Sequence, residues 1–327
     1  MECATPISTE AGTQSPPASR MPRVRNFMRR ALGAFWLLDG LLQLQPRMFE
    51  TAMLHTVMEP LVVSEPTWIS DTVSWAIRIM TPHVVVWNLA IVAVEILIGS
   101  LLLFGRQGPA VRVGLWLSIG WAAVVWLFGE GLGGVLTGSA TVVSGEPGAV
   151  LLYGWMAVTL LLSDRHWQFG RRLSAVRDAP TVFFGLGALQ QMAPLFWTPM
   201  GLASQFQSTW SLEPAFFQHT MFWVVILAYD HPVAVNLAFV IGLAYVAGAL
   251  ATRRGGGVVY LVAGALMFIM WWCGQGLGAI FTGFSTDLNT MPLLALMMVP
   301  GYLVDRAVVE TADREMRPAA GMRPASL

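Results

Sequence analysis

The chain has 327 residues, of which 55% are hydrophobic and 12% charged, with 14 tryptophans. A soluble globule needs more charge than this to cover its surface, whereas lipid solvates the exterior of a membrane bundle. Nineteen basic residues, all arginine, balance nineteen acidic ones, so no electrostatic case for nucleic acid exists.

Residues 1–22 are rich in Ser, Thr, Pro and Ala and are expected to form a disordered tail. They lack the apolar core of a signal peptide. Cys3 lies in that tail and Cys273 in an apolar segment. The pair offers neither a disulfide nor a Cys-x-x-Cys metal or redox site, and no metal ligands are expected.

Eight apolar segments then follow, near residues 27–45, 83–104, 110–129, 147–162, 182–197, 232–251, 257–274 and 291–304. A bilayer core needs about 20 helical residues, so the fold class expected is all-α, a polytopic bundle of eight spans. Residues 47–82 connect the first two spans. Within them Ile69, Val73, Ala76, Ile77 and Met80 share one stripe, the pattern of a short helix in the membrane interface. Its counterpart near 216–229 is more apolar.

The arginines orient the bundle. Arg20, Arg23, Arg25, Arg29 and Arg30 precede the first span, Arg106 and Arg112 flank the second loop, and Arg165, Arg171, Arg172 and Arg177 fall in mid-chain. Arg253 and Arg254 flank the sixth loop, and Arg306, Arg314, Arg317 and Arg323 follow the last span. Eight spans put all of these on one face, leaving only Arg47 and Arg78 opposite. The positive-inside rule makes that face cytoplasmic, with both termini on it. The expected place is a bacterial plasma membrane.

The chain also repeats itself. Residues 126–141 read W-L-F-G-E-G-L-G-G-V-L-T-G-S-A-T, and residues 271–286 read W-W-C-G-Q-G-L-G-A-I-F-T-G-F-S-T. Upstream, Gln43, Pro46, His83 and Asn88 align with Gln191, Pro194, His231 and Asn236 at an offset of 148, which becomes 145 at the glycine motif. The organisation expected is a tail (1–22), a four-helix repeat (23–163), a linker (164–180), a second repeat (181–305) and a tail (306–327). Four spans per unit give both units one orientation and a pseudo-two-fold axis along the membrane normal.

Shared polar residues gather at the outer face. His83 and His231, Asn88 and Asn236, and Trp126 and Trp271 could line a pocket for a quinone or another flat head group beside Glu130 or its counterpart Gln275. Alternatively the glycine run is a tight helix exit, the histidines are solvated caps, and the tryptophans form an interfacial belt.

The asymmetric residues are sharper. Asp39, Glu95 and Glu130 occur in the first half only, where the second has Gly187, Leu243 and Gln275. Carboxyl groups inside a membrane are costly and mark a functional site by default. Asp39 and Glu95 fall at similar depth on antiparallel spans with no basic partner, so the pair is suited to carrying a proton. These three acids are the candidate catalytic residues. In the bland alternative each is a neutral acid bonded to a neighbouring helix.

Three stretches resemble the DoxX/DoxD-like family of small four-helix membrane proteins. They are G-L-L-Q-L-Q-P at 40–46, E-I-L-I-G-S-L-L-L-F-G at 95–105, and A-G-A-L-A-T-R at 247–253. The second half lacks the acid at Leu243, and the first lacks the Thr-Arg. The resemblance implies four-helix bundles fused in tandem and an association with quinone-linked oxidoreduction beside a redox-protein partner. Haem would have only His83 and His231 to hold it. A proton-coupled small-solute transporter and a structural or assembly protein are the competing readings.

Overall fold

The computed structural model describes residues 21–63, 65–167, 175–207 and 213–316. Of the tail expected over 1–22, residues 1–20 lie outside the described residues, as do part of the linker and residues 317–327, while residues 21 and 22 open the first helix. Among the described residues the fold is all-helical, with no strand.

The first half contains α1 (Met21–Leu42), α2 (Thr67–Met80), α3 (Val84–Phe104), α4 (Pro109–Phe128) and α5 (Ala149–Leu161). The second contains α6 (Ala175–Gln191), a short α7 (Pro199–Ser204), α8 (Ala215–Asp230), α9 (Pro232–Thr252), α10 (Gly256–Ile269) and α11 (Thr290–Met316). Four continuous helical stretches are long and apolar enough to cross a bilayer: Thr67–Phe104, Pro109–Phe128, Pro232–Thr252 and Gly256–Gly274. The other expected spans are helical too, but differ in length. α5 has only 13 residues. The loop ahead of it supplies buried apolar side chains of its own, Val142 and Val143. α11 runs on to Met316, through the first part of the expected tail.

α1 packs against α3 because two glycines let the backbones touch. A Cβ on Gly33 would lie 2.6 Å from the Leu103 nitrogen, and one on Gly99 would lie 2.7 Å from the Leu37 nitrogen. Such close approach is the usual basis of helix association in lipid, where burial of apolar surface gives no net drive. The arginines at this end also serve the fold. Arg29 donates to the Leu102 and Gly105 carbonyls, and Arg25 to those of Leu160 and Leu162. They satisfy the free carbonyls at the ends of α3 and α5, where a cation also complements the helix dipole.

α2 forms over the expected residues and buries Ile69, Val73, Ala76 and Met80. These side chains cover a satellite core with Met48, Met53, Leu54 and Met58 from the segment that follows α1. Many large apolar side chains stay exposed on the long helices, among them Phe104, Trp116, Leu261 and Phe268. A helix apolar all round is at home in a core or a membrane, and the exterior here is one that a lipid bilayer would solvate.

Candidate functional site at the seam of the two halves

The glycine motifs position the site. After α4, residues Gly131, Leu132, Gly133 and Gly134 all take positive φ, between 54° and 68°. After α10, Gly276, Leu277, Gly278 and Ala279 do the same, between 52° and 71°. Each motif is thus one left-handed turn. An ordinary L-residue loses roughly 1–2 kcal/mol in that conformation, which explains the glycines and makes Leu132, Leu277 and Ala279 the strained members. Each turn is closed alike, by Gly133 N–H donating to the Glu130 carbonyl at 2.8 Å and Gly278 N–H to that of Gln275 at 2.9 Å.

The side chains at the head of each motif close it onto the next helix. Trp126 Nε1 donates to the Pro147 carbonyl at 2.8 Å, and Trp271 Nε1 to that of Leu288 at 2.7 Å. Glu130 Oε1 accepts from Val150 N–H, and Gln275 Oε1 from Met291 N–H, both at 3.4 Å. These pairs are offset by 141 residues, not 145. The first loop therefore carries four additional residues, Val143–Ser144–Gly145–Glu146, between Val142 and Pro147.

Each loop then packs on the half to which it does not belong. Val142 lies on α6, where a Cβ placed on Gly187 would stand 3.4 Å from the Val142 Cβ. Val142 N–H donates to Gln190 Oε1, and the Gln191 amide to the Thr141 hydroxyl. The second loop lies on the first half. Arg47 donates to the Thr282 carbonyl at 3.0 Å and covers the Phe284 ring, and Gln45 reaches the Ser285 carbonyl at 3.5 Å.

This crossing brings the acids together. Asp39 in α1 is buried and feels the charge of Asp287 in the second loop and of Glu95 in α3. Glu95 is buried, its Cβ 3.4 Å from the Cβ position of Gly40, and it accepts from Trp121 Nε1 at 3.5 Å. Tyr153 of α5 is fully buried, its ring centroid 4.4 Å from that of Trp36 with the planes tilted by 55°, and its hydroxyl lies beside Asp39. Asp287 is held by its own loop, accepting from Thr286 Oγ1 and Asn289 N–H. Among the described residues no cation pairs with any of these acids. No three of the Asp, Glu, His or Cys side chains among them stand close enough to hold a metal ion by themselves.

The positions aligned with these five residues are all apolar. Asp39 corresponds to Gly187, Glu95 to Leu243, Trp121 to Leu266, Asp287 to Val142 and Tyr153 to Leu294. Leu243, Leu294 and Val142 are all buried. The same helix and loop geometry is therefore filled with polar groups on one side of the seam and with aliphatic ones on the other.

The other expected site residues fall elsewhere. Asn88 and Asn236 are buried and make one and the same contact, donating at 2.8 Å to the Gln43 and Gln191 carbonyls. They join helices and do not line an open pocket. His83 and His231 are exposed N-caps of α3 and α9, so neither gives a haem iron a buried ligand. Trp126, Trp271 and Gln275 are committed to the loop contacts above. Glu130 has a buried, unpartnered Oε2 and lies beyond α4, outside the spanning helices. Burial raises its pKa from 4.5 to about 8, with the Asp287 charge adding and the Val150 and Ala149 N–H groups opposing.

Asp287 and Tyr153 belong to the site but are not among the residues expected from sequence. Asp287 carried the relevant signal, since it is an acid aligned with a valine. Tyr153 did not, because the four-residue difference between the loops hides its true counterpart.

Searches with family models, among curated proteins and among solved structures find no match to this chain.

Proposed function

We propose that the seam site handles protons in an integral membrane protein that supports quinone-linked oxidoreduction, as the likeness to DoxX/DoxD-like proteins implies. In this reading the chain is a tandem duplication crossing a bacterial plasma membrane eight times. Both ends lie on the arginine-bearing, cytoplasmic side, and a redox-protein partner delivers or accepts the electrons. The observation that carries the reading is the burial of Asp39 and Glu95 on the packed helices α1 and α3, with the Tyr153 hydroxyl beside Asp39, the Asp287 charge within reach and no cation paired with them among the described residues. Carboxyl groups spaced in this way suit a relay, in which a proton moves between acids or through water, better than a chelate. Glu130 extends the relay toward the motif end of the bundle, being coupled to Asp287 as Asp287 is to Asp39.

The apolar counterparts support one working site per chain. Glu130 and Gln275 cap their helices identically, so an ionisable group is dispensable for that contact and its presence at Glu130 calls for another role. The test is Glu95→Gln assayed for quinone reduction in membranes. Loss of most activity with unchanged protein level is expected; full activity would remove the proton role. A second reading, proton-coupled transport of a small solute, draws on the two-fold recurrence of the contacts at the seam. Solute uptake into proteoliposomes driven by a pH gradient would favour it.

A further inference from the structure

The polar groups at the seam share a chemical bias: they are acceptors. Asp39 Oδ1, Gln43 Oε1, Asn88 Oδ1 and Glu95 Oε2 are buried without a hydrogen-bond partner, and the Tyr153 hydroxyl has none apart from its neighbour Asp39. Asp39 and Gln43 lie one turn apart on α1, and Asn88 and Glu95 two turns apart on α3, so each pair shares a helix face. Buried polar atoms are nearly always satisfied, and orphaned oxygens along two packed helices call for donors or a cation.

The copy across the seam is an internal control for the glutamine alone, since Asn236 Oδ1 is left open there as Asn88 Oδ1 is here. Gln191, the counterpart of Gln43, accepts from Gln205 through its Oε1 and donates to Thr141 and Gln205 through its amide. At the position matching Gln205 the first half has Val57. The amide oxygen is thus closed by a protein donor where the acids are absent and left open where they are present.

We propose that this site binds one small monovalent cation of sodium size, in exchange for a proton. Asp39 supplies the charge, Gln43 Oε1 and the Tyr153 oxygen supply neutral ligands, and Asp287 stands as the second carboxylate. Oxygen-only ligands select a hard cation. A calcium-like ion would need more converging carboxylates than the structure offers, whereas one or two carboxylates with neutral oxygens balance a single charge. The proposal rests on the reading of the seam as a site that carries charge, and it names what is carried.

The experiment is thermal unfolding of the purified full chain in detergent, titrated with sodium chloride and, in parallel, with choline chloride at equal ionic strength. The expected result is a saturable rise in the unfolding midpoint with sodium only, because a ligand bound by the folded state alone stabilises it. Competition with a proton shifts the half-saturating sodium concentration upward by roughly tenfold per unit fall in pH. Tyr153→Phe and Gln43→Leu should each weaken the effect, with Asp39→Asn abolishing it; Tyr153→Phe keeps the test alive if the Asp39 variant does not fold. Equal responses to sodium and choline would overturn the proposal. A sodium response that ignores pH would overturn the exchange. Quinone reduction unaltered in Glu95→Gln alongside a sodium response lost in Tyr153→Phe would sink the redox reading and leave the cation site standing.

Discussion

The charge of Asp287 reaches Asp39 across the seam between the two halves of the chain, where the matching positions on the other side are Val142, packed against Gly187. One geometry thus carries two chemistries. The apolar pair needs no further partner. The acidic pair brings two groups of like charge together without a cation, an arrangement that costs stability unless a proton or another cation intervenes.

The first prediction follows from that cost. Glu95→Leu installs the residue that the aligned position already uses. Replacing buried ionisable groups by well-packed apolar ones is often neutral or stabilising. The unfolding midpoint in detergent should hold or rise, while the quinone-linked activity that we propose falls. A drop in both would mean that Glu95 is chiefly a structural group.

Glu130 gives a pH signature. Its pKa is raised from 4.5 to about 8, so across that interval the folded chain holds a proton that the unfolded chain releases. Stability from this group is complete below the ordinary value, declines as pH rises, and is lost once pH passes about 8. Glu130→Gln, which copies Gln275, should flatten this part of the pH dependence and preserve the α5 cap. Identical pH profiles for the two proteins would show that the carboxyl is not held in its neutral form.

The two asparagines should behave as twins. Asn88→Ala and Asn236→Ala each remove one buried hydrogen bond to a carbonyl at 2.8 Å. Interhelical hydrogen bonds in membranes average roughly 0.6 kcal/mol, so both losses should be small and alike in unfolding assays. A large loss of quinone reduction in Asn88→Ala alone would give Asn88 a role at the site.

Glycine substitutions separate contact from composition. Gly99→Ala drives a methyl group into the α1 backbone and should abolish stable folding. Gly120→Ala meets nothing within 4 Å in the middle of α4 and should stabilise by about 0.5–1 kcal/mol. Expression and thermal unfolding of the two variants read this directly.

Much of this was legible in the sequence. The apolar runs located α3, α4, α9 and α10 to within a few residues, because a lipid-facing helix has to be apolar over its whole length. The stripe at Ile69, Val73 and Met80 gave the α2 face for the same periodic reason. Alignment of the twin motifs singled out Asp39, Glu95 and Glu130 as unequal positions, and the structure brings Asp39 and Glu95 within reach of each other's charge. What could not be read is how the loops cross. Nothing in local pattern shows that Val142 rests on α6 or that Thr282 is held by Arg47, since both contacts join residues far apart in the chain. His83 and Asn88 looked like one polar rim by spacing. In three dimensions the histidine faces outward and the asparagine is used between helices.

The crossing of the loops is the central claim, and a pair of cysteines tests it most directly. At Val142 and Gly187 the Cβ positions are 3.4 Å apart, close to the separation that a disulfide needs. Val142→Cys with Gly187→Cys, and separately Asp39→Cys with Asp287→Cys, are made in a background in which Cys3 and Cys273 are replaced by serine. Mild oxidation in membranes should close an intrachain disulfide in both double variants and in neither set of single variants. Thiols that stay reduced in both would contradict the crossing, and with it the acid site that the crossing assembles.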